Sequence, residues 1–161
     1  MSRLDASQQR LMPSILDRLI DPASGGTAAL QGYSVEQMTE AVRRDLEELL
    51  NSRRTSAGID SKYVETLHSV IGYGLPDFAS VDTTTSGARS AIGRLIEEII
   101  AIHEPRLKHV RASLIESLRK EERSVRFEIQ ARLCVDPSPE VGFETVMELM
   151  TGQTTIKQQN V

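Results

Sequence analysis

The sequence has little cysteine and few aromatic residues. Cys134 is the one cysteine among 161 residues, and tryptophan is absent. A single cysteine cannot form a disulfide within the chain or supply a cysteine cluster for a metal, so we expect a reducing compartment. Aromatic residues make up 4% of the chain, which argues against a surface that stacks nucleic-acid bases on several rings.

Charge of one sign and long apolar runs are also lacking. The 23 acidic and 19 basic residues are mixed along the chain, so no overall field would attract nucleic acid. No segment approaches the ~20 apolar residues of a membrane span, and residues 1–22 lack the apolar run of a signal peptide. We therefore expect a cytoplasmic protein with neither a nucleic-acid partner nor membrane insertion. The 39% hydrophobic content is enough for the core of one domain.

The N-terminal region predicts a short amphipathic helix that is loosely attached. Residues 9–20 place five apolar side chains on one helical face, and Asp21-Pro22 ends the pattern: Leu11, Ile15, Leu16, Leu19 and Ile20. The small, Gly-rich segment that follows has the composition of a flexible linker. We assign residues 1–32 to this helix and linker, and we expect the helix to dock on a partner.

Three further helical patterns follow. Ser34 and Gln37 form a predicted capping box for a helix over about residues 35–52. A short helical piece is predicted around residues 62–71. From Ala88 a wide apolar stripe predicts the central core helix, which ends where Pro105 disfavours the helical conformation at Glu104.

Beyond Pro105 the apolar period falls to two. Residues 107–115, 124–133 and 143–150 alternate between apolar and polar side chains, separated by charged or proline-rich connections. The prediction is an α+β domain over residues 33–151, with amphipathic helices packed on a small three-stranded antiparallel sheet. We expect 124–133 to be central, 107–115 or 143–150 to carry a free edge, and residues 152–161 to be a flexible tail.

The histidines and the Gly-rich segment do not match a catalytic or cofactor motif. His68, His103 and His109 lack the paired spacing of a metal site, and the Gly-rich segment lacks the GK[ST] ending of a phosphate loop. We therefore predict no metal, no cofactor and no catalytic residue.

A pair of carboxylates for glycoside hydrolysis is the one enzymatic alternative, with Glu104 and either Glu97 or Glu98 as candidates. Adjacent helical residues point about 100° apart. Arg106 would keep Glu104 ionised, which is the wrong state for a general acid.

Glu104, Pro105 and Arg106 stand at the junction of the core helix with the first strand. A rigid turn that projects one carboxylate and one guanidinium suits docking to another protein. The same residues also fit a helix stop closed by an intramolecular ion pair. The pattern leaves both interpretations open.

Four motifs carry a resemblance to a known family. They are RRDLEELLNSRR, YGLPDF, HEPRLKHV and DPSPEVGFETVMELMTG, and the resemblance that they carry covers about residues 10–151 in one order. Together they resemble the TssE family, baseplate subunits of the bacterial type VI secretion system. That family is itself similar to a wedge protein of contractile-phage baseplates, whose family carries the name lysozyme-like.

The resemblance implies a structural protein at the cytoplasmic face of the inner membrane. Its implied partners are the baseplate subunits TssF, TssG and TssK and the TssB–TssC sheath, whose subunits extend the sheet by strand addition. Glu104, Pro105 and Arg106 would be the docking motif toward TssF–TssG.

We add Leu11, Ile15 and Leu19 of the N-terminal helix, and Thr145 and Met147 of the third strand, as candidate partner contacts. A peptidoglycan-degrading hydrolase remains the alternative, although members of the family are not regarded as working glycosidases. The family usually has an aromatic residue where this chain has His103.

Overall fold

The computed structural model describes residues 11–20, 32–54, 59–60, 62–76, 86–115, 124–136, 138–148 and 151–159. Within these ranges no helix is both long and apolar enough to cross a membrane. The helices and strands in chain order are α1 (Ile15–Ile20), α2 (Val35–Asn51), α3 (Val64–Leu67), a 3-10 turn (Val70–Gly72), α4 (Ser86–His103), β1 (Leu107–Ile115), β2 (Ser124–Leu133), β3 (Glu140–Glu148) and β4 (Thr154–Gln159).

The two long helices lie where the sequence predicts, although α4 begins at Ser86 rather than Ala88 and α2 ends at Asn51 rather than about residue 52. The hydroxyl of Ser34 accepts a hydrogen bond from the amide of Gln37, and the Gln37 side chain accepts one from the amide of Ser34, so the capping box of α2 is present. Helix α4 ends at His103, directly before Glu104 and Pro105. The apolar faces of α2 and α4 form one side of the core. Val42 and Leu46 of α2 and Ile96 and Ile100 of α4 are fully buried.

The sheet is antiparallel, with strand order β1-β2-β3-β4. One face carries alternating buried side chains, including Phe127, Ile129 and Phe143, and packs under the helices. Helix α4 packs against β1, and α2 packs against β4. The α+β prediction is therefore confirmed in a two-layer arrangement.

The number of strands and the position of one edge differ from the prediction. Residues 154–159, predicted to be part of a flexible tail, form β4 and pair with β3 from Gly142 to Met147. The free edge predicted for 143–150 is wrong because β3 lies between β2 and β4. Thr145 and Met147 are on the buried face of β3 and lie in the core, with relative exposures of 0% and 4%.

The N-terminal helix is shorter than predicted, and its apolar side chains point away from the domain. Only Ile15–Ile20 is helical within the described residues 11–20, and residues 9 and 10 lie outside the described ranges. Ile15 and Leu19 are 76% and 78% exposed, whereas Asp17 is 3% exposed. Leu11 is half-buried, packs against the core, and pairs through its backbone with Tyr33.

Candidate functional site: the corner groove

Glu104, Pro105 and Arg106 form the turn between α4 and β1, which we call the corner. Nε of Arg106 donates to Oε1 of Glu104 at 2.7 Å, and its Nη2 donates to Oε2 at 2.5 Å. The backbone amide of Arg106 also donates to Oε1 of Glu104 at 3.2 Å. The intramolecular ion pair, one of the two interpretations of the sequence pattern, is therefore present. Glu104 is only 4% exposed.

The corner is joined to α2 through Arg106. Its Nη2 also donates to Oδ2 of Asp45 at 2.5 Å, across 61 residues of sequence. Burial disfavours the charged guanidinium, but the hydrogen bonds and charges of Glu104 and Asp45 outweigh it and raise the pKa of Arg106. Its other terminal nitrogen, Nη1, is buried and has no hydrogen-bond partner in the described part of the chain. One nitrogen of a fixed cation thus finds no hydrogen-bond acceptor among the described residues around the corner.

The same set of charges continues to α1. Oδ1 of Asp45 accepts from Arg44, and Nη2 of Arg44 lies 2.7 Å from Oδ1 of Asp17. Burial opposes ionisation of Asp17, but hydrogen bonds from Ser14 and Arg44 and the charge of Arg44 prevail and lower its pKa. Charges of alternating sign therefore connect α1, α2 and the corner.

His103 fills the position where the resembled family usually has an aromatic residue. Its ring meets that of Tyr73 edge to face, with centroids 5.3 Å apart, and it hydrogen-bonds the backbone of Gly72. Burial lowers the pKa of His103, and the nearby charges of His68 and Arg54 lower it further. The imidazole thus serves as a packed aromatic ring between α4 and the 3-10 turn.

A groove of about 320 Å³ opens beside the corner, and we call it the corner groove. It lies between α1, α2 and the corner. Its lining includes Leu16, Asp45, Glu48, Tyr73, His103 and Arg106. Leu16 is 51% exposed at its rim. The groove thus combines apolar side chains, carboxylates and a guanidinium.

A second exposed apolar surface lies on α3 and the 3-10 turn. It consists of Tyr63, Val64, Val70 and Ile71, and Val70 is 90% exposed. The sequence predicted a short helical piece around residues 62–71 but did not indicate that these residues face outward. Five apolar residues within the nine positions 63–71, next to Gly72 and Gly74, were the available signal.

The structure brings together only part of the predicted partner-contact set. The corner lines the groove together with Leu16, and α1 presents Ile15 and Leu19 outward next to it. Thr145 and Met147 lie in the core on β3. Sequence reasoning missed the roles of Asp45 and Arg44, although both belong to the RRDLEELL motif.

The glutamates considered for hydrolysis have separate structural roles. Oε1 of Glu97 accepts a hydrogen bond from the backbone amide of Ala112 at 2.9 Å. Glu104 is ion-paired within the corner, and Glu98 lines a different depression with Arg94 and Lys108. The carboxylates of Glu104 and Glu97 are therefore occupied by other bonds. This arrangement does not favour them as the general acid and the nucleophile of glycoside hydrolysis.

The sequence is similar to a known protein family. A family model described as baseplate wedge protein gp25 matches residues 36–138, more than half of the chain. The matched range contains the Asp45 and corner residues together with β1 and β2. Searches of curated proteins and of solved structures give no match. The chain belongs to the baseplate wedge protein gp25 family.

Proposed function

We propose that this chain is the wedge subunit of a type VI secretion baseplate, which docks to TssF–TssG through the corner groove and supports assembly of the TssB–TssC sheath on its sheet. The observation that carries the proposal is the family match over residues 36–138, which includes the corner and the α2 residues bonded to it. The family is one of structural baseplate proteins. TssK completes the baseplate in this proposal, at the cytoplasmic face of the inner membrane.

The corner groove has the composition of a protein-binding surface. Interface centres are enriched in arginine, tyrosine and apolar side chains, and charged pairs there favour the correct partner. Tyr73, Leu16 and Arg106 all line the groove. Ile15 and Leu19, four residues apart on α1, extend the apolar surface beyond it. A bundle of helices could contact the groove and α1 together.

The docking experiment is best aimed at an exposed residue, because the corner also supports the fold. We expect Leu16→Asp, in the full chain, to reduce binding to the purified TssF–TssG pair at least tenfold, since it places a charge on the apolar rim. Val64→Asp is the matched control, because Val64 is 49% exposed on α3, compared with 51% for Leu16. Both variants should keep the melting temperature of the wild type. Equal binding by the two variants would overturn docking through the corner groove.

A sheath strand would join the sheet at an edge strand rather than at β3. Thr145 and Met147 are buried on an inner strand, so an incoming strand would pair with β1 or β4. The test is sheath formation from TssB–TssC on assembled baseplates that contain or lack the chain. Sheaths of normal number and position without the chain would contradict a role in initiation.

A further inference from the structure

The outer edge of β4 is occupied by side chains of α2. Nδ2 of Asn51 donates to the carbonyl of Thr154 at 2.9 Å, and Oδ1 of Asn51 accepts from the amide of Thr154 at 2.7 Å. A carboxamide offers one donor and one acceptor in a plane, as a peptide group does. Asn51 therefore makes both bonds that Thr154 would make to a neighbouring strand.

Ile156 is the next residue of β4 whose backbone amide and carbonyl point away from β3, and both are bound by side chains of α2. Oε1 of Glu47 accepts from the amide of Ile156 at 3.3 Å, and Nη1 of Arg43 donates to its carbonyl at 3.2 Å. Arg43 is itself held by Glu47 and Glu40, at 2.8 Å each. Both backbone groups of Ile156 are thus satisfied.

The spacing explains why one helix can bind a strand edge twice. Asn51 and Glu47 are four residues apart on α2, a rise of about 6 Å. Thr154 and Ile156 are two residues apart on β4, a rise of about 6.6–6.8 Å. The helical repeat therefore nearly matches the interval between outward residues of the strand. Arg43, Glu47 and Asn51, which we call the edge-capping side chains, form one row along α2.

We infer that the edge-capping side chains take the place of a fifth strand, close β4 to strand addition, and leave β1 as the edge that receives a sheath strand. The inference rests on the proposed sheath function and specifies which edge serves it. Strand addition needs main-chain donors and acceptors that are free to pair, and on β4 those of Thr154 and Ile156 are taken.

The outer edge of β1 is less completely covered. The amide of Ala112 is bound to Glu97, and its carbonyl faces Gly93 of α4. Outward groups recur every second residue in an antiparallel strand, so the amide and carbonyl of Leu114 also point outward. No bond from a side chain to these groups of Leu114 is found among the described residues.

The open ends of the two edges also differ in composition. On β4 the next outward residue is Gln158, between Lys157 and Gln159, and lysine on an edge strand discourages pairing. On β1 the corresponding end is Leu114 followed by Ile115, which is 41% exposed. Apolar and β-branched side chains stabilise cross-strand pairs. Both comparisons favour β1.

The first test measures amide hydrogen exchange in the full chain without a partner. Asn51→Leu should speed exchange at Thr154 at least tenfold while the β2 amides stay protected, because it removes the acceptor and keeps the side-chain volume. Glu47→Leu should do the same at Ile156. Glu48→Ala is the matched control on α2 and should change neither amide. Unchanged exchange at Thr154 and Ile156 in the folded variants would overturn the inference.

The second test adds the purified TssB–TssC pair. In the wild type, the amide of Leu114 should gain protection while that of Gln158 should not. In the Asn51→Leu, Glu47→Leu double variant, residues 154–158 should gain protection as well. Protection of 154–158 in the wild type would overturn the choice of edge but would support the sheath proposal. Binding without added protection at either edge would instead overturn strand addition itself, and with it this inference.

Discussion

Asp17 on α1 and Arg44 on α2 lie 2.7 Å apart, and this ion pair turns the polar side of α1 toward the domain. Asp17 is 3% exposed while Ile15 and Leu19 on the same helix are more than three-quarters exposed. An amphipathic helix on an isolated domain normally shows the opposite orientation. The arrangement is what a helix would need in order to present its apolar side to a partner.

Asp17→Ala should release α1 from the domain without unfolding it. A helix of six residues is not stable alone, so loss of the pair with Arg44 should expose the backbone at Arg18. We expect trypsin to cleave after Arg18 several-fold faster in the variant. Ile15→Ala is the control, because that side chain is 76% exposed, and it should leave the rate unchanged. Equal rates in all three proteins would show that other contacts hold α1.

Arg106→Ala should lower the stability of the domain as well as docking. It would leave the carboxylate of Glu104 buried without its cation, and a lost hydrogen bond to a charged group costs about 1.5–3 kcal/mol. The double variant Glu104→Gln, Arg106→Ala should recover part of that loss, because no buried charge remains unpaired. Urea unfolding of the two variants gives the comparison. A double variant less stable than Arg106→Ala would contradict this account of the corner.

Sequence patterns predicted correctly those elements that depend only on residues close together in the sequence. The capping box at Ser34, the stop at Pro105 and the alternation of 124–133 each depend on neighbours in sequence, and each is found as predicted. Strand β4 could not be predicted in this way. Within 154–159 Ile156 is the one apolar residue, and the Asn51 side chain that binds Thr154 lies 103 residues away.

In the candidate site, too, the features set by neighbouring residues were predictable and those set by distant residues were not. The sequence identified the corner and the apolar residues of α1, because a proline at a helix end and an apolar stripe are visible without a structure. It could not identify Asp45 as the partner of Arg106, since the pair spans 61 residues. Nor could it show that α1 faces outward, which depends on the contact between Asp17 and Arg44.

Stability should fall as the pH drops below the ordinary histidine value of 6.5, in part because of His103. Burial lowers the pKa of His103 in the folded chain, so the unfolded chain binds the proton more readily. The contribution is therefore full above pH 6.5 and is lost as the pH falls from there through the folded pKa.

The pH effect is measured as the urea midpoint at about pH 8 and about pH 5 in the wild type and in His103→Phe. Phenylalanine keeps an aromatic ring against Tyr73 but does not titrate, so the variant should lose less stability on acidification. His109→Asn is the control at an exposed histidine that is not among the groups acting on His103, and asparagine tolerates the positive φ of that position. The same loss in the wild type and in His103→Phe would assign the pH dependence to other groups.

Two glycines of α4 should respond in opposite directions to alanine. A Cβ at Gly93 would lie 2.8 Å from the carbonyl oxygen of Ala112, too close for α4 to keep its position on β1. At Gly87, apart from the chain neighbours and the nearby backbone of α4 itself, no heavy atom of the described residues lies within 4 Å of the added Cβ. Alanine is favoured over glycine by about 1 kcal/mol in a helix interior and by less in the first turn, where Gly87 lies, so Gly87→Ala should raise the melting temperature slightly and Gly93→Ala should lower it. A gain at both positions would show that α4 can shift away from β1 without cost.

Thr145→Val should stabilise the chain, because the hydroxyl of Thr145 is buried and finds no hydrogen-bond partner among the described residues. Valine has nearly the same shape without the polar atom, and relief of an unsatisfied group should raise the free energy of unfolding by about 1 kcal/mol. Thr154→Val is the matched control on β4, since its hydroxyl donates to the carbonyl of Leu50 at 3.5 Å and its loss should give no gain. Denaturant unfolding measures both variants. A less stable Thr145→Val would mean that the hydroxyl does find a partner in solution.

Because the side chain of Thr145 is in the core, the stabilised variant should also assemble sheaths at the wild-type rate. A specific loss of sheath assembly in the folded variant would show that Thr145 does contact a partner.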